Sequence, residues 1–346
     1  MQLVLDTHNV ALRQRNRSFY ISAGKERRMI SPHKISSIAV ISPCTLTSAA
    51  VLLAVEHKIP IIFFDHSGEP EAQLWSVHFG NQAELRRAQA LFSLSDEAAL
   101  WAAEVFRLKS EGQLSNLLRI REERNLPGLS SALERAADNI RALIQQLDTK
   151  AADREPFIAL MGVEGAVARH YWPAWGKAAP AGFQFDKRSR RPAQDAHNAA
   201  LNYLYGMLYN AVESAVLGVG MDPMFGIIHA DEFGAPTLVF DLIEPFRPLA
   251  DALLMRLLYD GALDARHFEP WQTGIGLNRE GRRILIAAFN DWLKEDTVFQ
   301  GRSTSLRNHL FTYAGALAHR LKLFWQHDDL DQLRHRRRPP ATPDSE

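Results

Sequence analysis

Three acids and one histidine stand in two apolar stretches of this 346-residue chain. Glu164 lies between two glycines in the stretch IALMGVEGAVARHYWPAW, and His229, Asp241 and Glu244 lie in the stretch GIIHADEFGAPTLVFDLIEPFRP. Burying a carboxylate among apolar residues costs several kcal/mol unless something compensates its charge. A divalent metal ion provides that compensation when carboxylates and a histidine converge. Because the two stretches are far apart in sequence, only the fold could bring these side chains together.

Each of these residues also has a simpler explanation. A lone glutamate in an apolar helix is often paired with an arginine, and a histidine after an apolar strand is often a hydrogen-bonded core residue. The two acids of the second stretch could both suit a helix N-terminus. The sequence His229-Ala230-Asp231, with His267, also fits part of a non-haem iron site, although such sites usually lie in a β jelly roll. Spacing alone therefore gives a weak metal hypothesis.

Three motifs, MGVEGAVARHYW, GIIHADEF and LVFDLIEPFRP, occur in this order. They resemble the core motifs of the CRISPR-associated integrases, the Cas-one family, and the resemblance extends from residue 1 to about residue 325. It implies that Glu164, His229 and Glu244 bind one divalent ion, and that Asp241 either binds the ion or orients His229. Mg²⁺ prefers oxygen ligands, whereas a mixed glutamate and histidine set also suits Mn²⁺.

The same resemblance implies a function. A family member inserts short captured DNA into a CRISPR array, during adaptive immunity, by attack of a DNA 3′-hydroxyl on a phosphodiester. The expected partners are double-stranded DNA with 3′-hydroxyl ends, CRISPR repeat DNA, a second copy of the chain and the small Cas-two protein. Two alternatives are a non-catalytic DNA-binding scaffold of the same fold and an unrelated metal-dependent DNA nuclease.

Aromatic and basic residues interleave in the stretch WPAWGKAAPAGFQFDKRSRRPAQDAHN. Cations contact phosphates and aromatic rings stack on unpaired bases. This pattern predicts DNA contacts by Lys187, Arg188, Arg190 and Arg191. A surface loop held in place by its aromatic side chains is the alternative interpretation.

One predicted helix, residues 155–172, must position the first acid. Residues seven apart share a helix face, so Tyr171 lies on the face of Glu164, and we expect it to contact DNA. Arg169 lies five residues beyond Glu164, where it could reach a phosphate bound near the metal. The resemblance, which places an arginine at this position, favours that interpretation over a surface ion pair.

The chain divides into two parts with different periodicity. Residues 1–82 contain short runs of β-branched and aromatic residues separated by turn residues, which predict a small mainly-β domain. Residues 83–328 follow the 3.6-residue period of helices, and residues 329–346 form a basic, proline-rich tail that we expect to be disordered. The predicted fold is therefore α+β, with an all-α catalytic domain after the β-rich one. The resemblance implies that the β-rich domain dimerises.

Within the β-rich part, strands are predicted for QLVLD and for three later runs, FYI, SSIAVI and IPIIFF. The sequence TLTSAAVLLAVEH between the last two has helical spacing, with Thr45 or Thr47 as a candidate N-cap. One helix among several strands makes a small α+β unit.

Composition and charge exclude few functions. Lysine plus arginine equal aspartate plus glutamate at 40 each, so net charge gives no reason to expect nucleic acid. No segment is apolar enough to be a signal peptide or to span a membrane. The single cysteine, Cys44, cannot form an intramolecular disulfide, which fits the reducing cytoplasm. We therefore expect a cytoplasmic protein without a membrane partner.

Overall fold

The computed structural model describes residues 2–5, 9–24, 26–35, 37–57, 59, 61–64, 70–74, 82–124, 126, 128–230 and 232–326. The predicted tail at 329–346 lies outside the described residues, and so does Asp231. The disorder of the tail therefore stays a prediction, and so does the iron-site alternative, which needs Asp231.

Strands and one helix form the N-terminal part of the described chain. The elements are β1 (Gln2–Leu5), β2 (Val10–Arg15), β3 (Ser18–Ala23), β4 (Glu26–Ile30), β5 (Ser37–Val40), β6 (Cys44–Leu46), α1 (Ser48–Glu56), β7 (Ile61–Phe64) and β8 (Pro70–Leu74). Thr47 caps α1, since its side-chain oxygen accepts a hydrogen bond from the backbone N–H of Ala50 at 3.3 Å. This is one of the two N-caps that the sequence predicts.

These strands form two four-stranded sheets. The first has the order β1-β5-β7-β8, with β8 antiparallel to β7 and the other pairs parallel. The second has the order β4-β3-β2-β6, with β6 parallel to β2 and the other pairs antiparallel. Apolar side chains from both sheets and from α1 share one core, which includes Leu12, Phe19, Ile38, Ala50 and Ile61.

The strands that the sequence predicts are β1, β3, β5 and β7, and the four others were missed. β2 and β4 carry VALRQR and ERRMI, in which most side chains are exposed, so the alternation of apolar and polar residues is interrupted. β6 is three residues long and follows a proline. Short strands with exposed faces leave little periodic signal.

The rest of the described chain is mainly helical, which confirms the α+β fold class. Its helices are α2 (Gln82–Phe92), α3 (Asp96–Glu123), α4 (Ser130–Ile144), α5 (Leu147–Ala151), α6 (Pro156–Lys177), α7 (Ala196–Gly218), α8 (Thr237–Ile243), α9 (Arg247–Tyr259), α10 (Arg279–Trp292) and α11 (Leu306–Trp325). Buried apolar residues of these helices form a cluster separate from that of the sheets. No helix within the described ranges is long and apolar enough to cross a membrane.

Two hairpins interrupt the C-terminal helices, where the sequence predicts helix alone. They are β9 (Phe268–Trp271) with β10 (Gly274–Leu277), and β11 (Asp296–Phe299) with β12 (Arg302–Ser305). Their turns contain Gln272 and Gln300 with positive φ angles, and Gly301, next to Gln300, has one as well. Glutamine does not indicate such a turn as glycine or asparagine would, and one glycine between four-residue strands gives little signal.

Helix α3 makes a close approach to the turn between α8 and α9. A Cβ atom built on Gly112 would lie 2.9 Å from the Cβ atom of Pro248. Only glycine leaves room for the two backbones at this distance. The approach brings the side chain of Lys109, one turn before Gly112, next to Glu244.

Candidate functional site

Glu164 lies on α6, where its carboxylate faces α3. The helix begins at Pro156, at the position where a missing N–H group has no cost, and it ends at Lys177, five residues beyond the predicted end. Glu164 Oε1 accepts a hydrogen bond from Nζ of Lys109 at 2.6 Å. The side chain is 29% exposed, so it borders solvent.

Glu244 is the second acid of the site and is almost fully buried. It begins a 3-10 turn between α8 and α9. Its Oε2 lies 2.6 Å from Nζ of Lys109, and its Oε1 lies 3.0 Å from Nε of Arg247. Burial acts to raise the pKa of Glu244, but the positive charges of Arg247 and Lys109 outweigh it and hold the pKa at about 2. The carboxyl is therefore ionised at neutral pH.

Lys109 joins the two acids. Burial acts to lower the pKa of its ammonium, but the charges of Glu244 and Glu164 outweigh burial and raise the pKa above its ordinary value. The side chain is 10% exposed. The structure thus brings two of the predicted ligands together around a buried, charged ammonium that the sequence analysis did not consider.

His229 is oriented by Asp241, a fully buried residue of α8. Asp241 Oδ2 accepts hydrogen bonds from the backbone N–H groups of Ile227 at 2.6 Å and Ile228 at 3.0 Å. Its Oδ1 accepts one from the backbone N–H of His229 at 3.1 Å and lies 2.7 Å from His229 Nδ1. Four donors occupy its two oxygens, so Asp241 positions the histidine, and the structure favours this role over direct metal binding.

The orientation of His229 suits a metal ligand. A neutral imidazole that donates from Nδ1 to a carboxylate keeps its lone pair on Nε2. The hydrogen bond to Asp241 raises the pKa of His229, with burial opposing it. The side chain is 39% exposed, and its charge interacts with that of Glu244. The imidazole therefore lies at the solvent-facing side of the buried acid.

The chemistry of these side chains fits a divalent ion, although they do not form a closed set. Nowhere in the described part of the chain do three histidine, cysteine, aspartate or glutamate side chains lie close enough to hold a metal. Lys109 lies instead between Glu164 and Glu244, and its ammonium supplies the positive charge that an ion would supply. Two carboxylates and an imidazole could hold Mg²⁺ or Mn²⁺ there once the ammonium has moved.

Comparison with known proteins places this chain in a family. Residues 3–291 match the family model described as CRISPR associated protein Cas1. The chain belongs to the Cas1 family. It is 28% identical over 327 residues to "CRISPR-associated endonuclease Cas1 1" of Archaeoglobus fulgidus. The match covers 91% of this chain and 94% of that relative. A relative with the same description from Moorella thermoacetica is 31% identical over 282 residues, 80% of each chain.

Solved structures share the Cas1 fold. A CAS1 protein from Thermotoga maritima superposes with a TM-score of 0.75 at 22% identity, over 93% of this chain and 97% of that one. A casposase bound to integration product superposes with a TM-score of 0.74 at 24% identity, over 94% and 91% of the two chains. At these identities the likeness concerns the fold.

One residue predicted to contact DNA lies in the core of this Cas1-family chain. Tyr171 is fully buried, and its hydroxyl donates to Asp251 Oδ2 at 2.9 Å and accepts from Asn116 at 3.2 Å. Tyr205 donates to the other oxygen of Asp251 at 2.5 Å. Burial raises the pKa of Asp251 to about 6, with these hydrogen bonds opposing it. The prediction for Tyr171 is wrong, because its helix face packs against α3 and α9.

Arg188, also predicted to contact DNA, is half-buried. Its guanidinium donates to the side-chain oxygens of Asn198 and Asn202, the latter at 2.8 Å. It also lies over the rings of Trp172 and Tyr205, at 5.2 and 5.5 Å from their centres. These contacts hold the loop against α6 and α7, so Arg188 has a structural role, and its contact with DNA stays a prediction.

The other predicted DNA contacts lie at the surface. Lys187, Arg190 and Arg191 are exposed on the loop before α7, and Arg169 is exposed on α6, one turn beyond Glu164. Asn202 donates to the backbone oxygens of residues 189 and 190, at 3.1 and 2.6 Å. The loop is thus fixed to α7 while its basic side chains face outward.

Sequence reasoning missed three residues that shape the site. Gln89 is fully buried, and its side chain donates to the backbone oxygens of Asp222 and Phe225 at 2.7 and 2.9 Å, so α2 fixes the segment that leads to His229. Lys109 and Arg247 were also missed. The signal for Arg247 was its place three residues after Glu244, and Gln89 ends the pattern N-x-x-x-L-R-x-x-Q, which resembles the family opening of the helical domain.

Proposed function

We propose that this Cas1-family chain is a metal-dependent DNA integrase and endonuclease. The observation that carries the proposal is the convergence of the Glu164 and Glu244 carboxylates beside a histidine whose Nδ1 is held by Asp241. A DNA-binding scaffold would have no need to bury Glu244 at this point. The descriptions of the relatives as CRISPR-associated endonucleases support the enzymatic assignment.

In the proposed site, Glu164, Glu244 and Nε2 of His229 would hold the metal, Mg²⁺ or Mn²⁺. The bound ion would polarise a phosphoryl oxygen and lower the pKa of an attacking hydroxyl. Asp241 keeps the imidazole in the orientation that exposes Nε2. Arg247 holds the carboxylate of Glu244 from the buried side, at 3.0 Å, so that its other oxygen faces α3.

The proposed integration reaction is a transesterification. The 3′-hydroxyl of captured DNA attacks a phosphodiester of CRISPR repeat DNA, a new P–O bond forms, and a DNA 3′-hydroxyl leaves. One phosphodiester is made for each one broken, so no external energy source is needed. The solved casposase bound to integration product supports strand joining as the outcome for a protein of this fold. In the endonuclease reaction, water takes the place of the attacking hydroxyl.

The exposed basic residues Arg169, Lys187, Arg190 and Arg191 are proposed to bind DNA phosphates. Arg169 is the nearest of the four to Glu164 along the chain, and it is proposed to contact the phosphate at the reacting end. The three loop residues would hold the duplex further away. Phosphate contacts position the DNA and carry no sequence information, so these residues set affinity and leave the choice of repeat to other groups.

The partners belong to the same proposal. A solved "Cas6-RT-Cas1--Cas2 complex" contains a chain that superposes with a TM-score of 0.75 at 21% identity over 93% of this chain, which is 35% of that longer chain. It supports assembly with a small Cas2 protein. Dimerisation through the β-rich domain of residues 1–82 is proposed with it, because insertion of captured DNA requires joining at both of its ends.

Strand joining tests the proposal. Purified protein, with its Cas2 partner, is incubated with 3′-hydroxyl DNA, a supercoiled target and Mn²⁺ or Mg²⁺, and joined strands are resolved on a denaturing gel. Wild-type protein should join strands, and EDTA should abolish joining. Glu164→Gln, His229→Ala and Glu244→Gln should each lower joining at least about a hundredfold with DNA affinity nearly unchanged.

Glu123→Gln, an exposed glutamate at the end of α3, is the matched control and should join like wild type. Joining at the wild-type rate by the three ligand variants would refute the assignment of Glu164, His229 and Glu244 to catalysis. Binding without joining or cleavage by wild-type protein would favour the scaffold, and cleavage without joining would favour a simple nuclease.

A further inference from the structure

Lys109 is held more tightly than a surface lysine. Its Nζ lies 2.6 Å from Glu164 Oε1 and 2.6 Å from Glu244 Oε2, and the side chain is 10% exposed. An ammonium between two carboxylates prevents their mutual repulsion in the protein interior. Arg247 faces Glu244 from the other side. The two acids therefore have two positive partners before any ion binds.

We propose that Lys109 is the resident counter-ion of this carboxylate pair and that a divalent ion binds by displacing its ammonium. The inference rests on the metal site of the proposed function. Glu164 Oε1 and Glu244 Oε2 each lie 2.6 Å from one nitrogen, so a small shift of the two side chains toward each other would let both bind one ion at about 2.1 Å. Such an ion would lie where Nζ now lies, and an ammonium and a divalent cation repel too strongly to share that position.

The position of Lys109 allows the exchange without movement of the backbone. Helix α3 is fixed by its close approach at Gly112, so only the flexible four-carbon side chain can move. One turn further along α3, Gln113 is 2% exposed, and its side-chain oxygen has no hydrogen-bond partner within the described structure. Residues four apart on a helix are neighbours. Gln113 therefore offers the displaced ammonium a buried acceptor.

The exchange has two consequences for the enzyme. The metal-free site keeps its acids together, because the ammonium replaces the missing positive charge. The cost is a lower apparent metal affinity, since every ion must compete with a side chain that is always present at the site. Lys109 thus sets the concentration of Mg²⁺ or Mn²⁺ at which the enzyme becomes active.

The test compares metal binding by wild type and by Lys109→Met, which keeps the length of the side chain and removes its charge. Isothermal titration with Mn²⁺ gives Kd, and melting in EDTA and in Mn²⁺ gives Tm. We expect Lys109→Met to bind Mn²⁺ at least tenfold more tightly, with a lower Tm in EDTA and a larger gain in Tm on adding Mn²⁺. Lys294→Met, a surface lysine, should match wild type in all three measurements.

A second variant, Gln113→Leu, removes the acceptor of the displaced ammonium and keeps Lys109. We expect it to bind Mn²⁺ at least threefold more weakly than wild type. If Lys109→Met does not fold, this titration decides, and a Kd equal to that of wild type overturns the displacement.

The outcomes separate the two proposals. Equal Mn²⁺ affinity of wild type and Lys109→Met overturns the counter-ion role and leaves the metal-dependent enzyme standing. Binding by Lys109→Met alone supports displacement. If neither protein binds Mn²⁺ or Mg²⁺, the metal site of the proposed function fails, and displacement fails with it.

Discussion

Asp241 offers the sharpest test of how the site is built. It is fully buried and accepts hydrogen bonds from three backbone N–H groups and from His229 Nδ1. The substitution Asp241→Asn keeps the shape and replaces one acceptor oxygen with an NH₂ group. An amide oxygen accepts at most two of the four donors, and the NH₂ group faces the others.

The magnitude follows from this loss. Hydrogen bonds to a charged group contribute about 1.5–3 kcal/mol each, so losing two should lower the free energy of unfolding by about 3–6 kcal/mol, a loss similar to that from breaking a buried ion pair. Urea unfolding followed by far-ultraviolet circular dichroism, in EDTA to exclude metal effects, measures this change. The loss should appear without metal, because the backbone donors belong to residues 227–229, the segment that carries His229.

Asp222→Asn is the matched control. Asp222 lies at the start of the same loop and is partly exposed. Its side chain accepts one backbone hydrogen bond, from Met224 at 3.1 Å, and lies 3.8 Å from Nε of Arg86. We expect it to lose about 1 kcal/mol. A loss below 1 kcal/mol in Asp241→Asn, or equal losses in the two variants, would refute the view that Asp241 organises the loop that carries His229.

Three further predictions concern the basic loop before α7, a buried histidine and a helix contact. Arg190→Glu should weaken DNA binding for all sequences alike and reduce its salt dependence by about one counterion. Fluorescence anisotropy at several salt concentrations measures both effects. Arg188→Met should instead lower the free energy of unfolding by about 2 kcal/mol. Burial lowers the pKa of His197 to about 3, so below pH 6.5 the unfolded chain binds a proton that the folded chain excludes. The free energy of unfolding of wild type should therefore fall by about 1.4 kcal/mol per pH unit between pH 6 and pH 4 because of this residue. The urea midpoints of His197→Leu, measured over the same pH range, should lack this component. Gly112→Ala should lower the urea midpoint despite its better helix propensity, because its Cβ meets a proline at 2.9 Å, whereas Gly206→Ala, with open space around it, should not.

The sequence allowed prediction of the fold class and of the approach of Glu164 to Glu244, which meet at one ammonium. The apolar settings of Glu164 and Glu244 indicated that their charges need compensation, and the structure provides it. What sequence could not show is the identity of the compensating group. Lys109 reaches both acids only because α3 packs against α6 and against the turn at Glu244, and that packing depends on contacts distant in the chain.

Tyr171 and Arg188 are more enclosed than the sequence indicated, for a related reason. Tyr171 and Arg188 have the right chemistry for DNA, and helical spacing places Tyr171 on the same face as Glu164. That face is not uniformly solvent-exposed, however, because it enters the core within two turns. A residue type and a spacing define a face, whereas burial of each position on it depends on which helices lie against it. Asp251, which accepts hydrogen bonds from Tyr171 and Tyr205 in the core, was beyond sequence reasoning in the same way.

The balance of charge explains why a displaceable lysine suits this site better than a second arginine. With Lys109 in place, the two glutamate carboxylates face two cations, so the charges of these four groups balance. If a divalent ion replaces the ammonium and Arg247 remains, the positive charge that faces the two carboxylates rises by one. A phosphodiester carries one negative charge, so the site attracts the reacting phosphate more strongly after the ion has bound. An arginine at position 109 would bind both acids through a planar, forked group and would yield to the ion less readily than a single ammonium.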